Sequence, residues 1–244
     1  MYSAMPHEAP TETNLNIGML IGLATSGRLV PPELLIALCS QPMPTNMNVA
    51  YCAIKGKPVE EARELCAENS LKLKAPYLWF VDDDTIPPPN TPRRLISVLQ
   101  NHPEVMVCGG IYSIKADPPS PVVFRGNGLG SFWRWKYGEV FEVTGIGCGC
   151  MMINTEIFKI LKPPYFPWDK TPIETTTISV PEISEDLSFC SKVREAGYKV
   201  VAHGGILCDH FDIRTGKMFS IPDNSYPFRK ETTSAEDTQQ DYSI

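Results

Sequence analysis

Three consecutive carboxylates, Asp82-Asp83-Asp84, close the apolar run Tyr77-Leu-Trp-Phe-Val81 and lead directly into Thr85-Ile86-Pro87-Pro88-Pro89. An apolar run of that length reads as a buried strand, and in an open α/β sheet ligands bind at the carboxyl ends of the strands. Adjacent carboxylates repel one another unless a cation or free water screens them. Strand alternation sends Asp82 and Asp84 to one side and Asp83 to the other. Two carboxylates on one side suit a hard divalent ion, Mn²⁺ or Mg²⁺. An acidic turn that merely ends a strand would use the same residues. The apolar approach and the proline brake behind it favour the metal site.

Three further places can carry chemistry. Glu185-Asp186 follows Ser184 and precedes Leu187-Ser-Phe-Cys190. Acids in the first turn of a helix complement its dipole and need no function, but one of them can also serve as a general base at a fixed pocket edge. His210, in Cys208-Asp-His-Phe211, can add a nitrogen ligand to a metal already held by carboxylates, and His203 competes for that role. Gly145-Ile-Gly-Cys-Gly149 runs into the apolar Cys150-Met-Met-Ile153. The glycine spacing does not match the dinucleotide fingerprint, and it suits close approach of backbone to a ligand or a strand-edge turn. Phosphate-cradling Gly-Lys-Ser/Thr loops and nucleophile elbows are missing from the sequence. Phe132-Trp-Arg-Trp135 can stack on an acceptor, and a hairpin's apolar face explains it slightly better.

Alternating elements must position these groups. Gly18–Thr25 reads as a first strand and Pro58–Lys74 as a helix, with Val59, Ala62, Cys66 and Leu73 on one face. Thr91-Pro92 opens a second helix, and Val105–Cys108 is a buried strand. Glu139–Val143 mixes acids with β-formers as a half-exposed strand does. Cys150–Ile153 is a strand followed by a short helix over Thr155–Leu161. Ser184 can cap a helix reaching Ala196, with Gly197 at its stop, and Tyr198–Ala202 returns as a strand. Strand–helix alternation argues for a βαβ-type sheet. The expected organisation is a polar segment at 1–15, one α/β domain over 16–216, and an extension with a polar tail over 217–244.

Composition narrows the class. The 244 residues carry 22 basic and 28 acidic side chains, a net charge of −6, with 43% apolar residues. This is a globular composition with no global pull toward nucleic acid. A stretch of the roughly 20 apolar residues that a membrane-spanning helix needs is nowhere found, and the polar start is not a signal peptide. The expectation is a cytoplasmic protein, bacterial or in a virus-infected host cell. The 8 cysteines lack a Cys-x-x-Cys pair and sit largely in apolar runs, so they read as free core thiols.

Taken in order over Asn16–Phe211, these motifs resemble a GT-A glycosyltransferase of the family-2 type. Tyr77–Pro87 resembles the strand with the Asp-x-Asp motif, Gly109–Tyr112 the next strand and its substrate edge, and Ser184–Cys190 the segment carrying the catalytic base. Gly56–Arg63 resembles the segment whose Arg faces the nucleotide, and Cys208–His210 the late strand that completes the metal site. The resemblance implies a Rossmann-like nucleotide-sugar-binding mixed sheet flanked by helices, in a single domain. It implies a nucleoside-diphosphate sugar donor, most often uridine-based. Ala24, Thr25, Arg63, Asp82, Asp83, Tyr112 and Gly147 would contact the donor. Asp82, Asp84 and His210 would hold the divalent ion, Asp186 would be the base of an inverting transfer, and Glu185 would position a substrate. The acceptor stays open: a glycan, a lipid-linked sugar, a protein or a modified nucleic-acid base. Alternatives on the same fold are a sugar-nucleotide hydrolase, a nucleotidyltransferase, or a binding module without catalysis.

Overall fold

The computed structural model describes residues 16–25, 27, 30–126, 130–168, 173–175, 178–180 and 184–221. The polar segment 1–15 and the tail 222–244 lie outside the described residues. The chain opens with β1 (Ile17–Thr25), α1 (Pro32–Cys39), β2 (Asn48–Lys55), α2 (Val59–Lys72) and β3 (Tyr77–Val81). Next come β4 (Thr85–Ile86), α3 (Thr91–Asn101), β5 (Val105–Ile111), β6 (Val123–Phe124), β7 (Val140–Glu142) and β8 (Gly145–Ile146). The rest is β9 (Cys150–Asn154), α4 (Ile157–Ile160), β10 (Ile173–Thr175), β11 (Ile178–Val180), α5 (Glu185–Glu195), β12 (Lys199–Leu207), β13 (Asp209–Asp212) and β14 (Lys217–Phe219).

The main sheet has seven strands in the order β2-β1-β3-β9-β5-β12-β7. β1 pairs in parallel with β2 and β3, while β9 runs antiparallel between β3 and β5. The sheet is therefore mixed and carries helices on both faces. Alternation along β3 distributes its side chains to two cores. Leu78 and Phe80 enter one cluster with residues of α2 and α5, and Trp79 and Val81 enter the other with residues of α1 and α3. The four are fully buried, which is why β3 reads as an unbroken apolar run.

Several local expectations change. The α2 face that packs inward is Ala62, Arg63, Cys66, Ala67 and Ser70, whereas Leu73 is largely exposed. An arginine thus occupies a core-facing helix position. β5 and β12 continue beyond the expected ends, to Ile111 and Leu207. Phe132-Trp-Arg-Trp135 forms no strand; Trp135 is buried and stacks on Phe141, with ring centroids 5.8 Å apart. The cysteines are all free; six are buried, but Cys39 is exposed and Cys52 half-buried, so the core reading fails for those two.

A second, three-stranded sheet, β14-β13-β4, sets the site. The two residues after the Asp triplet pair antiparallel with β13, Thr85 opposite His210 and Ile86 opposite Asp209. β14 pairs with β13 in turn, and Phe219 and Ile221 beyond the expected boundary at 216 are buried.

Candidate active site

β1 and β3 end at the same edge of the sheet, and their ends open onto a cavity of about 580 Å³. Its lining includes Ala24 and Thr25 from β1, Arg63 from α2, Asp82, Asp83 and Asp84 after β3, Tyr112 and Lys115 after β5, and His210 from β13. The three carboxylates diverge into three separate hydrogen-bond systems. Alternation placed Asp83 away from its neighbours, yet all three line one cavity, because β3 stops at Val81 and the triplet forms a turn. The Thr85 amide closes that turn on the Asp82 carbonyl at 3.1 Å.

Asp83 is buried and accepts from the Thr25 hydroxyl at 2.6 Å, which ties the end of β1 to the end of β3. Asp82 accepts from Arg63 Nη2 at both oxygens, 3.0 and 3.3 Å. Arg63 Nε donates to Glu185 at 3.0 Å, and its guanidinium lies 5.3 Å from the Phe80 ring centre. Arg63 is 3% exposed. It therefore holds two carboxylates from beneath, and Glu185, 5% exposed, is bonded to Arg63 and is not in the cavity lining. Burial pushes the Asp82 and Glu185 carboxyls up against the opposing pull of Arg63.

Asp84 is arranged differently. Its Oδ2 accepts from Lys115 Nζ at 2.5 Å, and its Oδ1 lies 3.2 Å from His210 Nε2. Burial raises this carboxyl, but the hydrogen bonds from His210 and Lys115 outweigh it and hold the group at about 2. Tyr112 meets the His210 ring edge-on at 5.3 Å. His203, the rival ligand, is buried in β12, where its Nδ1 accepts from the Gly205 amide at 3.2 Å; it is not part of the cavity lining.

Two side chains, Asp84 and His210, could each give one ligand to a divalent ion. His210 Nδ1 lies 2.7 Å from the Ser113 carbonyl, which can only accept, so Nδ1 carries a proton. With Nδ1 so engaged, Nε2 donates to Asp84 only when the ring carries both protons; the neutral ring turns the Nε2 lone pair toward Asp84 instead. Two acceptors face to face call for a proton or a metal ion between them, and a carbonyl behind the ring is the usual support of a metal-bound histidine. Asp82 is not brought to this pair, because Arg63 takes both its oxygens. Among the described residues no three His, Cys, Asp or Glu side chains cluster closely enough to hold a metal. The remaining ligands would be phosphate oxygens and water.

The glycine-rich segment and the α5 motif meet beside the cavity. A Cβ on Gly147 would collide with the Tyr112 hydroxyl, and one on Gly149 would sit 2.8 Å from the Tyr112 ring and from Thr85 Oγ1. These glycines let β9 approach the substrate edge, so Gly147 supports Tyr112 and is not itself in the cavity lining. Asp186 opens α5. Its Oδ1 accepts from the Leu187 amide at 2.8 Å and from the Ser184 hydroxyl, and its Oδ2 lies 3.4 Å from the Cys148 amide. Ser184 thus holds the Asp186 side chain, where a bond to the helix backbone was expected.

Residues 65–159, from α2 to α4, match the family model described as Glycosyl transferase family 2. A197 from STIV has a similar structure, with TM-score 0.60 and 20% identity over 85% of this chain and 95% of A197. The chain has a GT-A-type fold, and its segment 65–159 is similar to family-2 glycosyltransferases. The family match, on this fold, supports glycosyl transfer in general. TarS from S. aureus overlaps more loosely, with TM-score 0.45 and 13% identity over 76% of this chain and 35% of TarS. No curated protein matches the chain. Among the charged residues of the lining, Lys57 and Lys115 are the ones that sequence reasoning passed over. No signal in the neighbourhood of Lys115 ties it to the Asp triplet, since its partner Asp84 lies 31 residues earlier. No helix among the described residues is long and apolar enough to cross a membrane.

Proposed function

We propose that the chain transfers a sugar from a nucleoside-diphosphate donor, most simply a UDP-sugar, to an acceptor hydroxyl. The observation that carries this reading is the convergence of Thr25, Asp83, Asp84, Lys115 and His210 on one cavity at the strand ends, beside Asp186. Thr25 and Asp83 hold the nucleoside end, their mutual bond at 2.6 Å giving a fixed edge of paired polar groups. Asp84 and His210 hold the divalent ion, which supplies positive charge to the diphosphate as it leaves. Arg63, sealed beneath, fixes Asp82 and Glu185 and so sets the floor of the donor site.

Asp186 is the base in this reading. Its Oδ1 is held by two donors, while Oδ2 has only the long contact to the Cys148 amide among the described residues. That leaves Oδ2 to accept the proton of the acceptor hydroxyl as its oxygen attacks the anomeric carbon. A base on the face opposite the departing diphosphate gives inversion. The catalytic unit is the 16–216 domain together with the β14 arm that braces His210.

The test is the Asp186→Asn variant. Donor binding, read by thermal shift with nucleotide sugars and Mn²⁺, should match the parent. Transfer should fall by roughly 10²- to 10⁴-fold, the usual contribution of a positioned base. Transfer at the parent rate would remove Asp186 from this role. Free sugar as the sole product, with acceptors present, would turn the reading toward a hydrolase.

A further inference from the structure

Lys115 stands in an arm that returns on itself after β5. The Val122 amide donates to the Tyr112 carbonyl at 2.8 Å, the Ile114 amide to the Ser120 carbonyl at 2.8 Å, and Ser113 bridges Pro121. The arm also supplies the Ser113 carbonyl behind His210. Lys115 is therefore placed by the same segment that fixes the His210 tautomer. Its side chain is 20% exposed and lines the cavity, and its ammonium sits 2.5 Å from Asp84 Oδ2.

That position conflicts with a divalent ion. One carboxylate cannot serve an ammonium in direct contact and a doubly charged cation at the same time without bringing the two cations within a few ångströms of each other. A donor diphosphate reverses the balance, because it brings several negative charges into the same space. The lysine stem, with four carbons and a compact charge, can swing from the carboxylate to a phosphate oxygen without moving the backbone.

We propose that Lys115 guards the metal seat: in the empty enzyme it neutralises Asp84, and on loading it yields that oxygen to the divalent ion and turns to the donor's diphosphate. This rests on the reading of Asp84 and His210 as the metal pair. Lys115 then opposes the metal alone and favours metal and diphosphate together. Each ligand consequently raises the affinity for the other by the same factor.

Removing the ammonium should push two affinities in opposite directions, which loss of a merely structural contact would not do. In Lys115→Met, Mn²⁺ alone, followed by the electron paramagnetic resonance of the free ion, should bind roughly fivefold more tightly than in the parent. With Mn²⁺ saturating, the best binder among UDP, GDP, dTDP and ADP should bind roughly fivefold more weakly. Lys115→Arg, which keeps the charge, should stay nearer the parent in both. Unchanged or weaker Mn²⁺ binding by Lys115→Met overturns the proposal, as does unchanged diphosphate binding. Asp84→Asn separates the two readings. If it abolishes Mn²⁺ binding while Lys115→Met has no effect, the metal seat stands and the guard fails. If the parent binds no Mn²⁺, or Asp84→Asn binds it as the parent does, the metal pair is wrong and the guard falls with it.

Discussion

Arg63 and Lys115 each set a cation against carboxylates in the same cavity, but their surroundings differ. Arg63 spans Asp82 and Glu185; the side chains of Arg63 and Glu185 are 4% and 6% exposed, while Asp82 reaches the cavity at 25%, so the sealed contact is the one to Glu185. Lys115 meets Asp84 alone, from a side chain that is 20% exposed, with His210 on the other oxygen. The sealed pair is held by two elements of the main sheet's helical cover, α2 and α5. The open pair is held by a loop arm and by the small β14-β13-β4 sheet. A buried ion pair cannot exchange partners without stranding a charge, so it serves as framework. A half-open one can exchange, which is what a seat for a transient ligand requires.

The largest effect should come from breaking the sealed side. Arg63→Met leaves the buried Glu185 and the half-buried Asp82 without their cation. Breaking such a pair from one side costs about 3–5 kcal/mol, so the variant should lose that much in chemical denaturation. Adding Glu185→Gln should restore part of the loss, since it removes one of the stranded charges. A penalty no larger than that of Lys115→Met would end the distinction between the two sides.

Acid should separate the two sides by sign. The Asp84 carboxyl is held at about 2 in the folded chain, below its ordinary 3.8. A depressed carboxyl contributes stability that is present above its unfolded value and lost as pH falls through its folded one. Relative to Asp84→Asn, the parent should gain about 2 kcal/mol at neutral pH, and that gap should close between pH 4 and pH 2. Asp82 and Glu185 have raised carboxyls, so they act in the opposite direction: their protonation favours the folded chain, and the benefit is lost as pH rises through their folded values. Urea titrations of parent and Asp84→Asn at stepped pH would show it. A constant gap down to pH 2 would mean that Asp84 gains nothing from its partners.

What the sequence could tell follows the same division. The buried strands were readable because an apolar run such as Tyr77–Val81 has a single sensible place in a sheet with two covered faces, and β3 matches that range. The Asp triplet, Thr25, Tyr112 and His210 were placed at one site by motif order, and they do line one cavity. Roles that depend on partners far along the chain were not readable. Arg63 is expected to face a nucleotide, and it does line the cavity, but its Nε and Nη2 are spent on Glu185, 122 residues away, and Asp82, 19 residues away, which leaves only the buried Nη1 without a partner. Nothing local marks Lys115, whose partner Asp84 lies 31 residues earlier and is reached only because β5 and β3 flank β9. Strands of two to four residues, such as β4 and β13, carry too few side chains for a period to show, yet their pairing is what brings His210 beside Asp84.

The smallest expected effect is the one that defines the open side. Lys115→Met removes an ion pair that is shorter than either contact of Arg63, 2.5 Å against 3.0 Å. If distance alone set the energy, this variant would be the more damaging. The Lys115 side chain is 20% exposed, however, and His210 remains on the other oxygen of Asp84. The cost should therefore stay within about 1 kcal/mol, the range of exposed pairs, at pH 7 in moderate salt. Raising the salt should shrink it further, because an accessible pair is screened and a sealed one is not. The same denaturation series on Arg63→Met should show a penalty that barely moves with salt. A salt-independent loss of several kcal/mol for Lys115→Met would make that lysine part of the framework and end its role as an exchangeable cation.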